Sequence, residues 1–173
     1  RKASFTCYNL AFIYTRTAYL MVWKPRVTVA SVIEQNGRFL MVEEEHHGQI
    51  VINQPAGHME YGESLIDAAQ RETLEETGWR VQPDALLGVF HMQRPDQDRV
   101  YLRFTFSGYV LEHINDFNLD PDILRTHWLT EAEIRDTSRF TVRSDLVLRS
   151  IDAYKAGIRY PLDMLHYFQT DNS

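Results

Sequence analysis

"GHMEYGESLIDAAQRETLEETGW", residues 57–79, is the stretch on which the reading of the chain turns. It places Glu72, Glu75 and Glu76 at i, i+3 and i+4 of a predicted helix, so that their carboxylates share one side. Ser64 is a natural N-cap with Asp67 three residues on to answer it, and Gly78 is a natural stop. Leu65, Ala68 and Ala69 give the first turns an apolar contact face, which is expected to continue into the glutamates. Like-charged pairs at this spacing each cost roughly 0.2–0.5 kcal/mol, and the last turn is the unfavourable end of the helix dipole for negative charge. Arg71 offsets part of that repulsion. A hard divalent cation offsets more, because Mg2+ and Mn2+ prefer oxygen ligands and Mg2+ commonly joins carboxylates to phosphates. Taken alone, an E-x-x-E-E face more often meets only water.

On the N-terminal side of this helix, the β-branched and apolar runs 26–33 and 38–44 are joined by Asn36-Gly37, the strongest short hairpin signal. The turn 45–49 leads to a short strand over 50–53, and "PAGH" (55–58) reads as a tight turn into the helix. On the C-terminal side, strands are expected over 85–93, 99–111 and 123–129, with a loop at 112–122. The second alternates, with Tyr101, Arg103 and Thr105 on one side and Leu102, Phe104 and Phe106 on the other. Thr130 and Glu133 form a capping-box signature. Val147, Leu148, Ile151 and Tyr154 repeat at helical spacing before Gly157. Strands interleaved with a few helices predict one compact α/β unit with a mixed sheet.

The chain has 173 residues and is 44 % hydrophobic, enough for a folded core. Net charge is −6, yet the only charged residues before Glu34 are five basic ones, so residues 34–173 carry −11. So acidic a body repels a phosphate backbone and argues against a nucleic-acid partner. Small polyphosphates accompanied by divalent cations remain compatible. Cys7 is the single cysteine, which fits a reducing, cytoplasmic setting. No run of about 18 apolar residues is present, so no membrane span is expected. Residues 1–20 read as a leader or an extension foreign to the domain, and residues 21–173 as the domain itself.

The spacing around the acidic helix is more specific than its charge. Gly57, Glu63, Arg71, Glu72, Glu75, Glu76 and Gly78 satisfy every charged and glycine position of the Nudix box, G-x5-E-x7-R-E-U-x-E-E-x-G-U. Seven such matches arise by chance in roughly one window per 10⁸–10⁹ at average residue frequencies. Thr73 and Trp79 depart from the usual character of the hydrophobic U positions. The chain therefore resembles the Nudix hydrolases, and "KPRVTVASVI", "NQPAGH", "YLRF" and "GIRYPL" are similar to a narrower branch, the NudJ-type bacterial phosphatases. The resemblance implies an α/β/α sandwich with a mixed sheet and Mg2+-dependent hydrolysis of phosphoanhydrides, with Mn2+ as a substitute. For the narrower branch it implies release of phosphate from nucleoside tri- and diphosphates and from hydroxymethylpyrimidine pyrophosphate, the thiamin precursor. An ADP-ribose or sugar-nucleotide pyrophosphatase is the runner-up, with Pro95 near where those enzymes place a proline. A non-catalytic Nudix-fold binding module is the reading from another class. Either a monomer or a homodimer is compatible.

By the same resemblance, Glu72, Glu75 and Glu76 ligate metal, with a backbone carbonyl of Gly57 or Ala56 completing the set. Arg71 is expected to pair with Glu63 or a metal glutamate and hold the loop and helix in register; a plain i,i+4 pair with Glu75 is the alternative. Gly57, Glu63, Arg71 and Gly78 are the structural positions of the box. The general base is Glu112, at the end of the long strand, or Glu75 within the box; Asp120 and Asp122 are weaker candidates. For substrate contacts, Arg103 reaches phosphate from the sheet face or forms a cross-strand ion pair. His58 touches substrate or hydrogen-bonds its loop, and Asn53 and Gln54 read a base edge or build a turn.

Overall fold

A computed structural model describes residues 24–94 and 99–169. Residues 1–20 and Pro95, on which expectations were placed, lie outside the described residues. Strand β1 (Arg26–Gln35) turns at Asn36 and Gly37, both at positive φ, into β2 (Arg38–His46), as the Asn-Gly pair predicts. Then follow β3 (Gln49–Asn53), β4 (Ala56–His58), helix α1 (Leu65–Thr77), β5 (Trp79–Arg94), β6 (Arg99–His113), β7 (Ile123–Thr130), α2 (Glu131–Arg135), α3 (Asp145–Lys155) and a 3-10 turn (Leu162–Met164).

The seven strands run β3-β2-β1-β6-β5, with β4 added to β1 and β7 to β2. All pairs are antiparallel except β1 and β6, which run parallel from Arg26↔Tyr101 to Ile33↔Gly108. Parallel neighbours need a long crossover, and α1 lies within it. Helix α1 packs Ala68 and Ala69 against Val29, Leu86 and Phe106 on one face of the sheet. On the other face Ile134 of α2 and Val147 and Ile151 of α3 meet Val32, Met41, Ile52 and Leu87. Adjacent Leu86 and Leu87 thus serve opposite faces, as a strand's period of two requires. The expected α/β/α sandwich is what forms.

Two elements differ from the sequence reading. "PAGH" is not a tight turn: Ala56–His58 is a strand, paired in the register Val29↔Gly57. Its brevity and glycine concealed a partner that only the tertiary fold supplies. Strand β5 begins at Trp79 rather than near residue 85, and it carries Pro83 at one of three register shifts. It is the edge of the sheet, where a missing N–H is tolerated. The helix boundaries are as expected. Ser64 and Asp67 close a reciprocal capping box, and Gly78 stops α1 at φ 72° while donating to Leu74 O at 2.8 Å.

Candidate active site

Helix α1 places its glutamates in a graded environment. Its buried stripe is Ala68, Ala69, Thr73 and Thr77, so the apolar face continues into threonines and the glutamates flank it. Thr73, the departure from a hydrophobic U position, is fully buried; its hydroxyl donates to Ala69 O at 2.7 Å and lies within hydrogen-bond distance of Ser31 Oγ, at 2.8 Å. A hydrogen-bonded stitch to β1 therefore replaces apolar contact. Trp79 packs edge-on against Trp128 at 5.8 Å.

Glu76 lies deepest of the three. Its Oε2 accepts from Ala56 N at 2.9 Å, and desolvation, opposed by that bond and reinforced by Glu72, Glu44 and Asp120, pushes its carboxyl up to about 8. Glu72 is also raised, chiefly by burial, although Arg71 pulls the other way. Glu75 is the most open, with its side chain 45 % exposed.

Arg71 binds this group together. Its Nε and Nη2 donate to the two oxygens of Glu63 at 3.0 and 2.8 Å, and Nη2 also reaches His58 O at 3.0 Å. Nη1 donates to Glu72 Oε1 and Glu75 Oε2, each at 2.9 Å. Both readings of Arg71 are thus met at once: it forms the i,i+4 pair and also ties helix, loop and β4 together. Among the described residues, no three His, Cys, Asp or Glu side chains already stand arranged to hold a metal ion. The expected convergence is partial, because Glu72 and Glu75 turn to Arg71 while Glu76 turns to Ala56. One guanidinium nitrogen thus holds Glu72 and Glu75 together, while Glu76 is satisfied separately by β4.

Strand register corrects the choice of backbone ligand. Ladder bonds link Ser31 N to Pro55 O at 2.9 Å and Met59 N to Val27 O at 3.2 Å. Antiparallel bonding alternates, so Val29 and Gly57 form the bonded pair between these two. The Gly57 carbonyl is therefore taken up by β1. Ala56 faces the helix, as its N–H on Glu76 shows, and its carbonyl is the one available there. Gly57 matters for another reason: a Cβ at this position would lie 2.2 Å from the carboxyl carbon of Glu72. The glutamate occupies the space that a side chain would fill. That close approach, the raised Glu72 and Glu76, and an all-oxygen donor set together suit a hard divalent cation.

Of the candidate bases, Glu112 sits on β6 opposite Arg80, exposed and paired with it at 3.2 Å. It belongs to a strand rather than a loop, and its partner is that arginine rather than the acidic helix. Asp120 is the loop acid brought to the helix: its N–H donates to Glu75 O at 2.9 Å, and its charge acts on Glu76. Its own Oδ1 accepts from Asp122 N, the turn role expected of this pair.

Beside the helix lies a cavity of about 160 Å³ whose lining includes Asn53, Gly57, His58, Tyr101, Arg103 and Arg143. Arg103 is only 6 % exposed and makes no ion pair among the described residues, which removes the cross-strand alternative. Desolvation, with Arg143 nearby, lowers its guanidinium to about 10, so it stays charged at neutral pH. Gln54 is corrected as a base-edge reader. It is buried, its amide donates to Val147 O at 2.7 Å, and its carbonyl accepts from Arg103 at 3.4 Å. Asn53 lines the cavity with its Oδ1 buried and unpartnered. His58 is lowered by burial and by Arg26 and Arg143, so it is neutral at pH 7. Sequence reasoning missed Arg143 and its partner Glu44, which are far apart in the chain and belong to no motif.

A family comparison agrees with this geometry: the NUDIX domain matches residues 23–149. The chain belongs to the Nudix family. A Nudix hydrolase from Nitrosomonas europaea superposes with a TM-score of 0.80 at 48 % identity, covering 87 % of this chain and all of that one. Phosphatase NudJ of Escherichia coli K12 is 41 % identical over 147 residues, 85 % of this chain and 94 % of that one. The Nudix domain of Shewanella oneidensis NrtR, complexed with ADP ribose, shares the fold with a TM-score of 0.61 at 15 % identity, over 78 % of this chain and 89 % of that one. The chain is thus a Nudix phosphohydrolase of pyrophosphate-type substrates, and Nudix hydrolases in general use divalent metals. Among the described residues, no helix is long and apolar enough to cross a membrane.

Proposed function

We propose that this Nudix hydrolase cleaves the terminal phosphoanhydride of nucleoside tri- and diphosphates and of small pyrophosphates such as hydroxymethylpyrimidine pyrophosphate, with Mg2+, releasing phosphate. The observation that carries the reading is one juxtaposition: Glu72 stands against Gly57 and Glu76 bonds Ala56 N, and Ala56 and Gly57 line a cavity shared with Arg103, which is buried and makes no ion pair among the described residues. Glu72 and Glu76, with the Ala56 carbonyl, would hold the cation, and Mn2+ would serve in its place. Bound there, it supplies charge withdrawal from the anhydride oxygens and a lowered pKa for the attacking water. Arg103 and neutral His58 orient the phosphates, as fixed donors at the cavity wall.

Glu75 is the general base, since Arg71 holds its Oε2 and its Oε1 is available to take the proton from water. Water adds to the terminal phosphorus, the bridging P–O bond breaks, and the shortened (di)phosphate leaves with the electron pair. The single cysteine suits the reducing cytoplasm in which we place the reaction. Incubation with Mg2+ and a panel of nucleoside tri- and diphosphates, hydroxymethylpyrimidine pyrophosphate and ADP-ribose, with phosphate, pyrophosphate and monophosphate scored separately, tests the reading. Phosphate from the first three classes is expected. AMP with ribose phosphate from ADP-ribose as the dominant products would replace it with the ADP-ribose pyrophosphatase reading, and no hydrolysis of any of them would favour a binding module.

A further inference from the structure

Two arginines face the cavity, and one carboxylate serves them. Arg143 is fixed by its backbone: Arg143 N donates to Ile52 O at 2.9 Å and Ile52 N to Thr141 O at 2.8 Å, zipping residues 141–143 onto β3 just before α3 begins. Its Nη1 pairs with Glu44 Oε2, and this is its hydrogen-bond partner among the described residues. Glu44 is 6 % exposed, and its Oε1 is buried without a partner. Arg103 approaches from β6, held among the described residues by the Gln54 carbonyl at 3.4 Å, with its Nε buried and unpartnered there. Of the two guanidiniums, Arg143 has a directly bonded carboxylate and Arg103 has none among the described residues. Buried charge of one sign calls for a counter-charge, and Glu76, the other acid acting on Arg103, is the one a cation would engage.

The cavity is also small. At about 160 Å³ it falls below the 300–1,000 Å³ range of pockets that enclose a whole drug-sized ligand. That volume suits a charged group such as a phosphate better than a whole nucleoside.

We propose that Arg143, positioned by Glu44, and Arg103 form a subsite for an unesterified terminal phosphate, so that substrates are selected by a free phosphate end and the base is read weakly. This deepens the proposed function and rests on it for the reaction. A terminal phosphate carries more negative charge and more free acceptor oxygens than an esterified one, and paired guanidiniums are matched to it. Esterified diphosphates such as ADP-ribose cannot present such an end.

Binding of inorganic tripolyphosphate, which has two free ends, and of ADP-ribose, which has none, is measured at saturating Mg2+ for wild type, Arg143→Met, Arg143→Lys and Glu44→Gln. Wild type is expected to prefer tripolyphosphate. Arg143→Met should lose ~10–100-fold on tripolyphosphate but at least tenfold less on ADP-ribose, with Arg143→Lys recovering part of the loss. Glu44→Gln, which keeps the shape of the side chain while weakening the anchor, should fall between wild type and Arg143→Met. Triphosphates of four different bases should give KM values within about threefold if turnover occurs. Equal losses on both ligands, or no wild-type preference, would overturn the subsite. Absence of turnover with the Arg143-dependent preference intact would instead sink the proposed reaction and leave the subsite standing.

Discussion

Gly57→Ala isolates the placement of one carboxylate from the stability of the fold. Gly57 lies in extended backbone within β4, so alanine meets no conformational penalty there. The added methyl would sit 2.2–2.3 Å from the three carboxyl atoms of Glu72, so that carboxylate must retreat by about 1.2 Å or more to reach an ordinary contact. Moving it stretches or breaks the 2.9 Å bond to Arg71, a half-buried contact of about 1 kcal/mol. Against that, alanine reduces the freedom of the unfolded chain by about 0.4–1 kcal/mol. The two nearly cancel, and each 1 kcal/mol shifts Tm by ~2–4 °C at this size. The melting temperature of the metal-free protein should therefore stay within about 4 °C of wild type. Turnover should not stay, because a ~1 Å misplacement at a site of chemistry costs on the order of 10². Calorimetry and steady-state phosphate release, measured side by side, check both expectations. An unchanged kcat/KM would show that Glu72 need not stand where it does, and a large loss of Tm would show that the glycine serves folding instead.

Glu76→Gln keeps the acceptor for Ala56 N but removes the deepest charge of the cluster. It should lower kcat by ~10²–10³ or more with the circular dichroism spectrum unchanged, and near-wild-type rates would remove the metal assignment. Arg71→Lys keeps the charge and loses the fork that holds Glu63 through two nitrogens. It should lower urea stability by about 1–3 kcal/mol and turnover by at least tenfold, read from denaturation midpoints and phosphate release. Glu133, whose carboxylate accepts from Thr130 N and the Thr130 hydroxyl and faces Arg38 and Arg139, is pulled down to about 2. Its contribution to stability is complete above its ordinary value of 4.5 and disappears as pH falls through about 2. The gap in urea midpoint between wild type and Glu133→Gln should accordingly be constant from pH 7 to about 5 and close toward pH 2; a gap independent of pH would refute the charged role.

What local sequence could specify, it specified. Asn36-Gly37, Ser64 with Asp67, Gly78 and Thr130 with Glu133 act within a few residues, and each is found in the role its chemistry predicts. The box motif likewise carried Arg71, Glu63 and the helix glutamates to one place. The misses are all matters of partnership at a distance. Ala56–His58 is a strand because β1 is beside it, and the alternation of that ladder, not the residue type, decides that Ala56 rather than Gly57 offers its carbonyl. Glu112, at the end of the long strand, stood as a candidate base until Arg80 was found opposite it. Gln54 looked like a reader of ligands until α3 and Arg103 took both ends of its amide. Arg143 and Glu44 are separated by most of the domain, and no spacing rule joins them.

The guanidinium of Arg71 has five N–H donors, and five acceptors are recorded for them: two oxygens of Glu63, one each of Glu72 and Glu75, and the His58 carbonyl. Such a saturated group has nothing left to offer an incoming molecule without letting go of something it already grips. Glu72 and Glu75 each give the guanidinium one oxygen, so an ion recruiting either of them is left the other oxygen and need not displace the arginine. Two carboxylates are thereby held in place by the protein itself, which reduces the ordering that the arrival of an ion must bring about.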